Sequence, residues 1–217
     1  IDQMIKNNYK IVFMGDDTWN GLYPNRFMRS YPYPSFNVWD LDTVDNGVRD
    51  HLYQELNQTD WNLLIGHFLG VDHCGHRYGP NHPEMQRKLG EINTVIKTVV
   101  EQIDDTTMLI VIGDHGMTST GDHGGESEEE VTAGFFVYSK QPLLNLDGTK
   151  DSVKQVDIVP TLAAILGVPI PFQNLGILIP NCLPITNESF EIETWRLVLY
   201  HLWVNVNQVQ NYIKEYS

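Results

Sequence analysis

The sequence predicts an α/β fold: a doubly wound, mostly parallel sheet with helices on both faces. Three observations predict it. Short apolar runs of strand length recur at residues 9–14, 62–68 and 107–112. Stretches with helical spacing separate them. The second and third runs also lead directly into clusters of His and Asp. In a parallel sheet with right-handed crossovers, every strand delivers its carboxyl end to the same edge, so ligating side chains collect there.

The first run, Tyr9-Lys10-Ile11-Val12-Phe13-Met14, opens into the polar loop Gly15-Asp16-Asp17-Thr18-Trp19. Val44, Val48, Leu52 and Leu56 recur every four residues and predict a helix over 43–56, ahead of the strand at 62–68. Pro83 starts a long helical pattern through Met85, Leu89, Ile92, Ile96 and Val99, with proline in the first turn where its missing N–H does no harm. The strand at 107–112 follows. A further strand at 132–138 and a helix at 156–166 carrying Pro160 in its first turns look structural. Four prolines in 167–184 precede a closing amphipathic helix at 192–216, with Trp195, Leu199, Leu202, Val206, Val209 and Ile213 at helical spacing. The expected division is residues 1–171 as part of a catalytic domain and 172–217 as a proline-containing linker and an amphipathic helix leading toward a membrane region.

A chain of 217 residues with 41% apolar content can bury a proper core. Fourteen Lys plus Arg against 28 Asp plus Glu give a formal charge of −14, which argues against a nucleic-acid partner, because phosphate backbones need basic stripes. Part of the acidity sits in Glu126-Ser127-Glu128-Glu129-Glu130, expected as a solvated loop. Two cysteines, Cys74 and Cys182, are too few for a disulfide framework. The sequons Asn57-Gln58-Thr59 and Asn187-Glu188-Ser189 permit glycosylation in a secretory lumen. No run reaches the length of a membrane span. The chain opens on Ile1 and reads as a fragment.

The strongest signal is three short motifs: Asp72-His73-Cys74-Gly75-His76, Gly113-Asp114-His115-Gly116-Met117 and Gly121-Asp122-His123-Gly124-Gly125. They hold four of the eight histidines, flanked by glycines as tightly bent backbone around a metal requires. Zinc takes neutral imidazole nitrogen and carboxylate oxygen, and a transfer site keeps one coordination position open. Asp72 and His76 can face one ion if the intervening turn curls around it. Asp114 and His115 are adjacent and reach metal only where strand alternation breaks at a bend. His123 can swing back to complete the first set, giving three ligands on one ion and two on the other. The second set is underfilled, so part of the site lies elsewhere.

These residues resemble the alkaline phosphatase superfamily, and in particular the ethanolamine phosphate transferases of glycosylphosphatidylinositol (GPI) anchor synthesis, in the branch that modifies the third mannose. The likeness is carried by 68–76 through Gly79-Pro80 and Asn81-His82-Pro83-Glu84-Met85, by 15–19, 34–38 and 40–47, and by the second and third motifs. It runs from about residue 9 to 171 and then fades. It implies an alkaline-phosphatase-like fold with its N-terminal part missing. It also implies two zinc ions, one on Asp72, His76 and His123 and the other on Asp114 and His115. A threonine nucleophile and a further aspartate normally complete the second site and lie upstream of this chain. Thr118 and Thr120 are no substitutes, so the fragment is expected to be inactive alone. In the intact parent, the threonine would attack phosphatidylethanolamine, release diacylglycerol and hold the phosphoethanolamine until a mannose hydroxyl of the GPI-anchor precursor takes it. The resemblance places the parent in the endoplasmic reticulum membrane with this domain lumenal, and allows a membrane partner subunit.

Asp16, Asp17 and Trp19 are candidate substrate-binding residues: a carboxylate attracts the ammonium of ethanolamine and an indole stacks on it. The plainer reading is a turn with a buried tryptophan. His51, His67, His82 and His201 lack a ligand context; His73 and Asp122 adjoin ligands and serve either the surroundings of the site or loop geometry. Two rival functions stand beside the transferase. One is a phosphodiesterase or nucleotide pyrophosphatase of the same superfamily, which hands the group to water; the other is a catalytically inactive domain.

Overall fold

The computed structural model describes residues 1–144, 152–185 and 191–216. Its contacts divide the chain into two compact units, Ile1–Asp104 with Met108–Tyr138, and Asp105–Thr107 with Ser139–Ser217.

In the first unit a short helix, α1 (Asp2–Lys6), precedes the central strand β1 (Ile11–Asp16). Ile11, Val12, Phe13 and Met14 are completely buried, which explains why this strand reads as a continuous apolar run rather than an alternation. After α2 (Thr18–Leu22) comes β2 (Arg29–Tyr33), then α3 (Thr43–Glu55) and β3 (Leu63–Gly66). β2 and β3 both pair with β1 in parallel, in the order β2-β1-β3, with Val12 opposite Arg29 and Ile11 opposite Leu63. β2 is polar and carries Pro32, as an edge strand tolerates, and the apolar pattern gives no hint of it. Val44 and Val48 of α3 pack on Val12 and Met14. Arg29 ties β2 to this helix: its Nε donates to Glu55 Oε1 at 2.8 Å, its Nη1 to Asp60 Oδ2 at 2.8 Å, and the Tyr31 hydroxyl donates to Glu55 Oε1 at 2.7 Å.

The chain then forms α4 (Gly70–Tyr78) and α5 (Pro83–Gln102). Pro83 opens α5 as expected, and His82 caps it, its Nδ1 accepting from Glu84 N at 3.2 Å. Val95, Val99 and Ile103 at the far end of α5 pack with Leu52, Phe68, Leu109 and Tyr138. β4 (Met108–Ile112), α6 (Glu128–Val131) and β5 (Phe135–Ser139) follow. Two expectations are corrected here. β4 hydrogen-bonds to β5 in a separate two-stranded sheet rather than extending β1–β3, and the acidic run is a short helix with a Ser127/Glu130 capping box, not a plain loop. The fold class stands: a parallel three-stranded sheet with helices on both sides.

In the second unit a 3-10 turn (Gln155–Asp157) runs into α7 (Ile158–Leu166), which Gly167 ends in the left-handed region at φ 63°. The last helix is α8 (Glu191–Tyr216). Leu144, Leu178, Leu183 and Val198 form the core here, joined by Ile165 and Leu202. Buried Asn205 of α8 accepts from Leu178 N at 2.9 Å and donates to Gly176 O at 3.1 Å, holding the proline-containing stretch along the helix. No described helix is long and apolar enough to cross a membrane. Cys74 and Cys182 are both free and buried. Asn57 is exposed and its side chain donates to Tyr53 O at 2.7 Å; the sequon at 187–189 lies outside the described residues.

Candidate metal centre

The first motif lies on α4, so Asp72 and His76 stand one helical turn apart on one face. The helix start is fixed from α3, where Asp45 Oδ1 accepts from Leu69 N at 2.8 Å and Gly70 N at 3.0 Å. Behind Asp45 sits Lys88 of α5, only 1% exposed, with its Nζ 2.8 Å from Asp45, 3.1 Å from Asp42 and 2.9 Å from Glu91. Burial is the largest single influence on the Lys88 ammonium and pulls its pKa down. Its hydrogen bonds to Asp45, Glu91 and Asp42 together outweigh burial and hold it above the ordinary lysine range. His73, also buried, anchors the helix from the other side, its Nδ1 donating to Asp40 O at 3.1 Å.

The other two motifs reach α4 because glycines let them. A Cβ on Gly75 would meet Met117 Sδ at 2.0 Å, and a Cβ on Gly121, whose φ is 89°, would meet Gly75 O at 2.1 Å. The acidic run supplies the rest of the scaffold. Glu130 O and Glu129 O accept from Gly116 N at 2.7 Å and Met117 N at 2.9 Å, while the Glu130 carboxylate accepts from Ser127 Oγ at 2.6 Å and Gly125 N at 2.8 Å. The Ser127 hydroxyl, followed by the Gly125 N–H, lowers the Glu130 pKa. Nothing in the run of glutamates marks Glu130 as a brace; only the S-x-x-E spacing hints at it.

On this scaffold the ligand candidates meet. Asp72 Oδ1 lies 3.5 Å from His76 Nε2 and 3.4 Å from His123 Nε2, and the two imidazole nitrogens are 3.0 Å apart. His115 stacks on His123 with ring centroids 3.8 Å apart, and Asp72, His115 and His123 place ligand atoms within 4.8 Å of one another. His115 Nδ1 is 2.9 Å from Gly116 O, a pure acceptor, so Nδ1 carries the hydrogen and Nε2 keeps its lone pair. Asp114, mostly exposed, sits 3.6 Å from that Nε2 through its Oδ2.

These residues fit a metal. Asp72 Oδ1 is buried and accepts no hydrogen bond, an arrangement that costs stability in an ordinary carboxylate. Two ligands bonded tetrahedrally at 2.0–2.1 Å lie about 3.3 Å apart, close to the spacings within Asp72, His76 and His123. Mixed imidazole and carboxylate donors of this kind are the ones reactive zinc sites use.

A family model for type I phosphodiesterases / nucleotide pyrophosphatases matches residues 6–157, most of the chain. The chain belongs to this family. Family members are metal-dependent and alkaline-phosphatase-like, as the fold and the histidine cluster lead one to expect. The chain is 45% identical to the GPI ethanolamine phosphate transferase 3 catalytic subunit of Homo sapiens over 100% of its own length and 20% of that protein. It is 44% identical to the Mus musculus counterpart over 100% of its length and 20% of that protein. GPI ethanolamine phosphate transferase 3 of Saccharomyces cerevisiae is 44% identical over 81% of the chain and 19% of that protein. The resemblance read from the motifs is therefore met, and the likeness reaches further than expected, continuing past residue 171 through the second unit. The chain spans about a fifth of the length of the curated relatives it matches.

The remaining candidates make other contacts. Asp16 Oδ1 accepts from Thr18 N at 2.6 Å and Asp17 Oδ1 from Ser35 Oγ at 3.1 Å. Trp19 stacks on Phe13 at 5.1 Å and lies 5.8 Å from both Tyr23 and His67, so its ring is largely engaged in packing. Asp122 serves its own loop, its Oδ2 accepting from Thr120 Oγ1 at 2.9 Å and its N donating to Thr118 Oγ1 at 3.0 Å. His51 is structural, held by Tyr33 at 2.8 Å and stacked on Tyr31.

Proposed function

We propose that this chain forms part of a zinc-dependent transferase that moves phosphoethanolamine from phosphatidylethanolamine to a mannose of the GPI-anchor precursor. The observation that carries the reading is the convergence of Asp72, His76 and His123 from two distant motifs, with His115 stacked against them, in a chain whose relatives bear that name. Asp72, His76 and His123 would hold one zinc ion, and His115 with Asp114 would contribute to a second. Bound zinc supplies Lewis acidity toward the phosphoryl oxygens and charge stabilisation for the attacking and leaving oxygens. The chain's own residues do the positioning. Gly116 O fixes the His115 tautomer so that Nε2 faces the site, and Glu130 keeps the third motif closed over α4. Asp16 and Asp17, at the carboxyl end of β1, would attract the ethanolamine ammonium, with Trp19 setting the loop through its aromatic packing. The resemblance implies a threonine nucleophile, and we do not assign that role to Thr118 or Thr120, whose hydroxyls are engaged within the Asp122 loop. The parent would work at the endoplasmic reticulum membrane with this domain lumenal, and the second unit, residues 172–217 included, would lead toward the membrane region.

The test uses the full-length protein, supplied with phosphatidylethanolamine and a GPI-anchor precursor. Transfer that is abolished by Asp72→Asn supports the reading. Fast turnover of a nucleotide diester with no transfer to mannose would instead favour the hydrolase that the family description also covers.

A further inference from the structure

Beside the ligand helix lies a layered aromatic surface that neither the metal set nor the Asp16 loop uses. Arg77 follows His76 directly on α4, and its guanidinium is sandwiched between two rings, 4.7 Å from the centre of Trp39 and 4.6 Å from that of Tyr78. Its Nη1 donates to Trp39 O at 3.0 Å, which locks the stack. Tyr78 in turn stacks on His82 at 4.3 Å with only 12° between the planes. Trp39 and Phe36 are 69% and 88% exposed, on the loop that leaves the carboxyl end of β2. An exposed indole next to the ligand helix, held rigid by a guanidinium, forms a flat platform with an apolar face and N–H donors at its edge.

The chemistry of the platform selects its ligand. An ammonium group is disfavoured, because Arg77 already places a positive charge against the faces of Trp39 and Tyr78. A phosphate has no use for the apolar face of Trp39. A sugar ring suits both features: its C–H face lies on the aromatic planes while its hydroxyls meet the guanidinium edge and the tyrosine. We propose that Trp39, with Arg77 and Tyr78, forms the subsite that seats the mannose-containing glycan of the acceptor. This rests on the transferase reading for the identity of the glycan, and it makes Trp39 a determinant of acceptor specificity rather than of phosphoryl transfer.

The experiment uses the full-length protein in detergent and separates three readouts: saturation-transfer NMR with a mannobiose as probe, diacylglycerol release from phosphatidylethanolamine without acceptor, and KM for the acceptor. Trp39→Ala is expected to erase the mannobiose signal and raise the acceptor KM about ten-fold or more, with diacylglycerol release unchanged. Trp39→Phe should recover most of both losses, which separates ring stacking from misfolding. An unchanged mannobiose signal and acceptor KM in Trp39→Ala would overturn the proposal, as would an equal fall in diacylglycerol release. Wild-type protein that binds mannobiose through Trp39 but releases no diacylglycerol would sink the transferase reading and leave the platform standing.

Discussion

His76 and His123, 47 residues apart in the chain, face each other Nε2 to Nε2 at 3.0 Å, with Asp72 Oδ1 within 3.5 Å of both. The pairing depends on a contact between backbones: the third motif folds over α4 at Gly75, and a side chain on Gly121 would run into the Gly75 carbonyl.

Gly75→Ala drives a methyl group into the Met117 thioether, and should destabilise the protein by about 1–3 kcal/mol as overpacking does. Met117→Ala in the same chain removes the thioether that the new methyl would strike, at the cost of the packing that Met117 itself supplies. Urea unfolding of the two single variants and the double variant should therefore show partial rescue, a coupling that independent sites lack.

Lys88→Met leaves Asp45 buried without its cation and should cost about 3–5 kcal/mol in urea unfolding. Lys88→Arg should fare poorly too, because Gly70 and Asp45 crowd the Lys88 stem and leave no room for a planar fork.

The Arg29–Glu55 pair sets a pH dependence with a definite sign. Hydrogen bonding from Arg29 is the largest influence and lowers the Glu55 pKa; burial opposes it, and the Tyr31 hydroxyl lowers it further. A carboxylate with a lowered folded-state pKa contributes stability above its unfolded value and loses it as pH falls through the folded one. Thermal melts should put Glu55→Gln about 3 °C or more below wild type near neutral pH, with the gap closing as pH falls below the ordinary glutamate range. A gap that widens on acidification contradicts this assignment.

Glu130→Ala removes the acceptor of Gly125 N and the Ser127 hydroxyl. It should weaken zinc binding about 10–100-fold, the range for partners that orient ligands without touching metal, with little change in the midpoint of unfolding. Competition with a chromophoric chelator measures it.

The local code of the chain carried the elements with strong periodicity. The buried run of β1, the four-residue spacing of Val44 and Val48 in α3, and Pro83 at the start of α5 are each legible because the core contact and the sequence period agree. The three ligand motifs were legible as chemistry. Their assembly was not: the approach of Gly121 to Gly75 is a contact between distant backbones. β2 went unread because an edge strand with Arg29, Ser30 and Pro32 has no apolar alternation, and β4's partner because pairing is a tertiary choice. Lys88 was hidden for a similar reason, since a lysine on an amphipathic helix reads as solvent-facing until its three carboxylates are seen.

The most direct measurement is calorimetric titration of metal-stripped protein with Zn²⁺, wild type against Asp72→Ala and His123→Ala. The account predicts tight binding in the wild type and a loss of more than about a hundred-fold in either variant, beyond what removing an outer partner costs. Zinc affinity unaltered by both substitutions would contradict it.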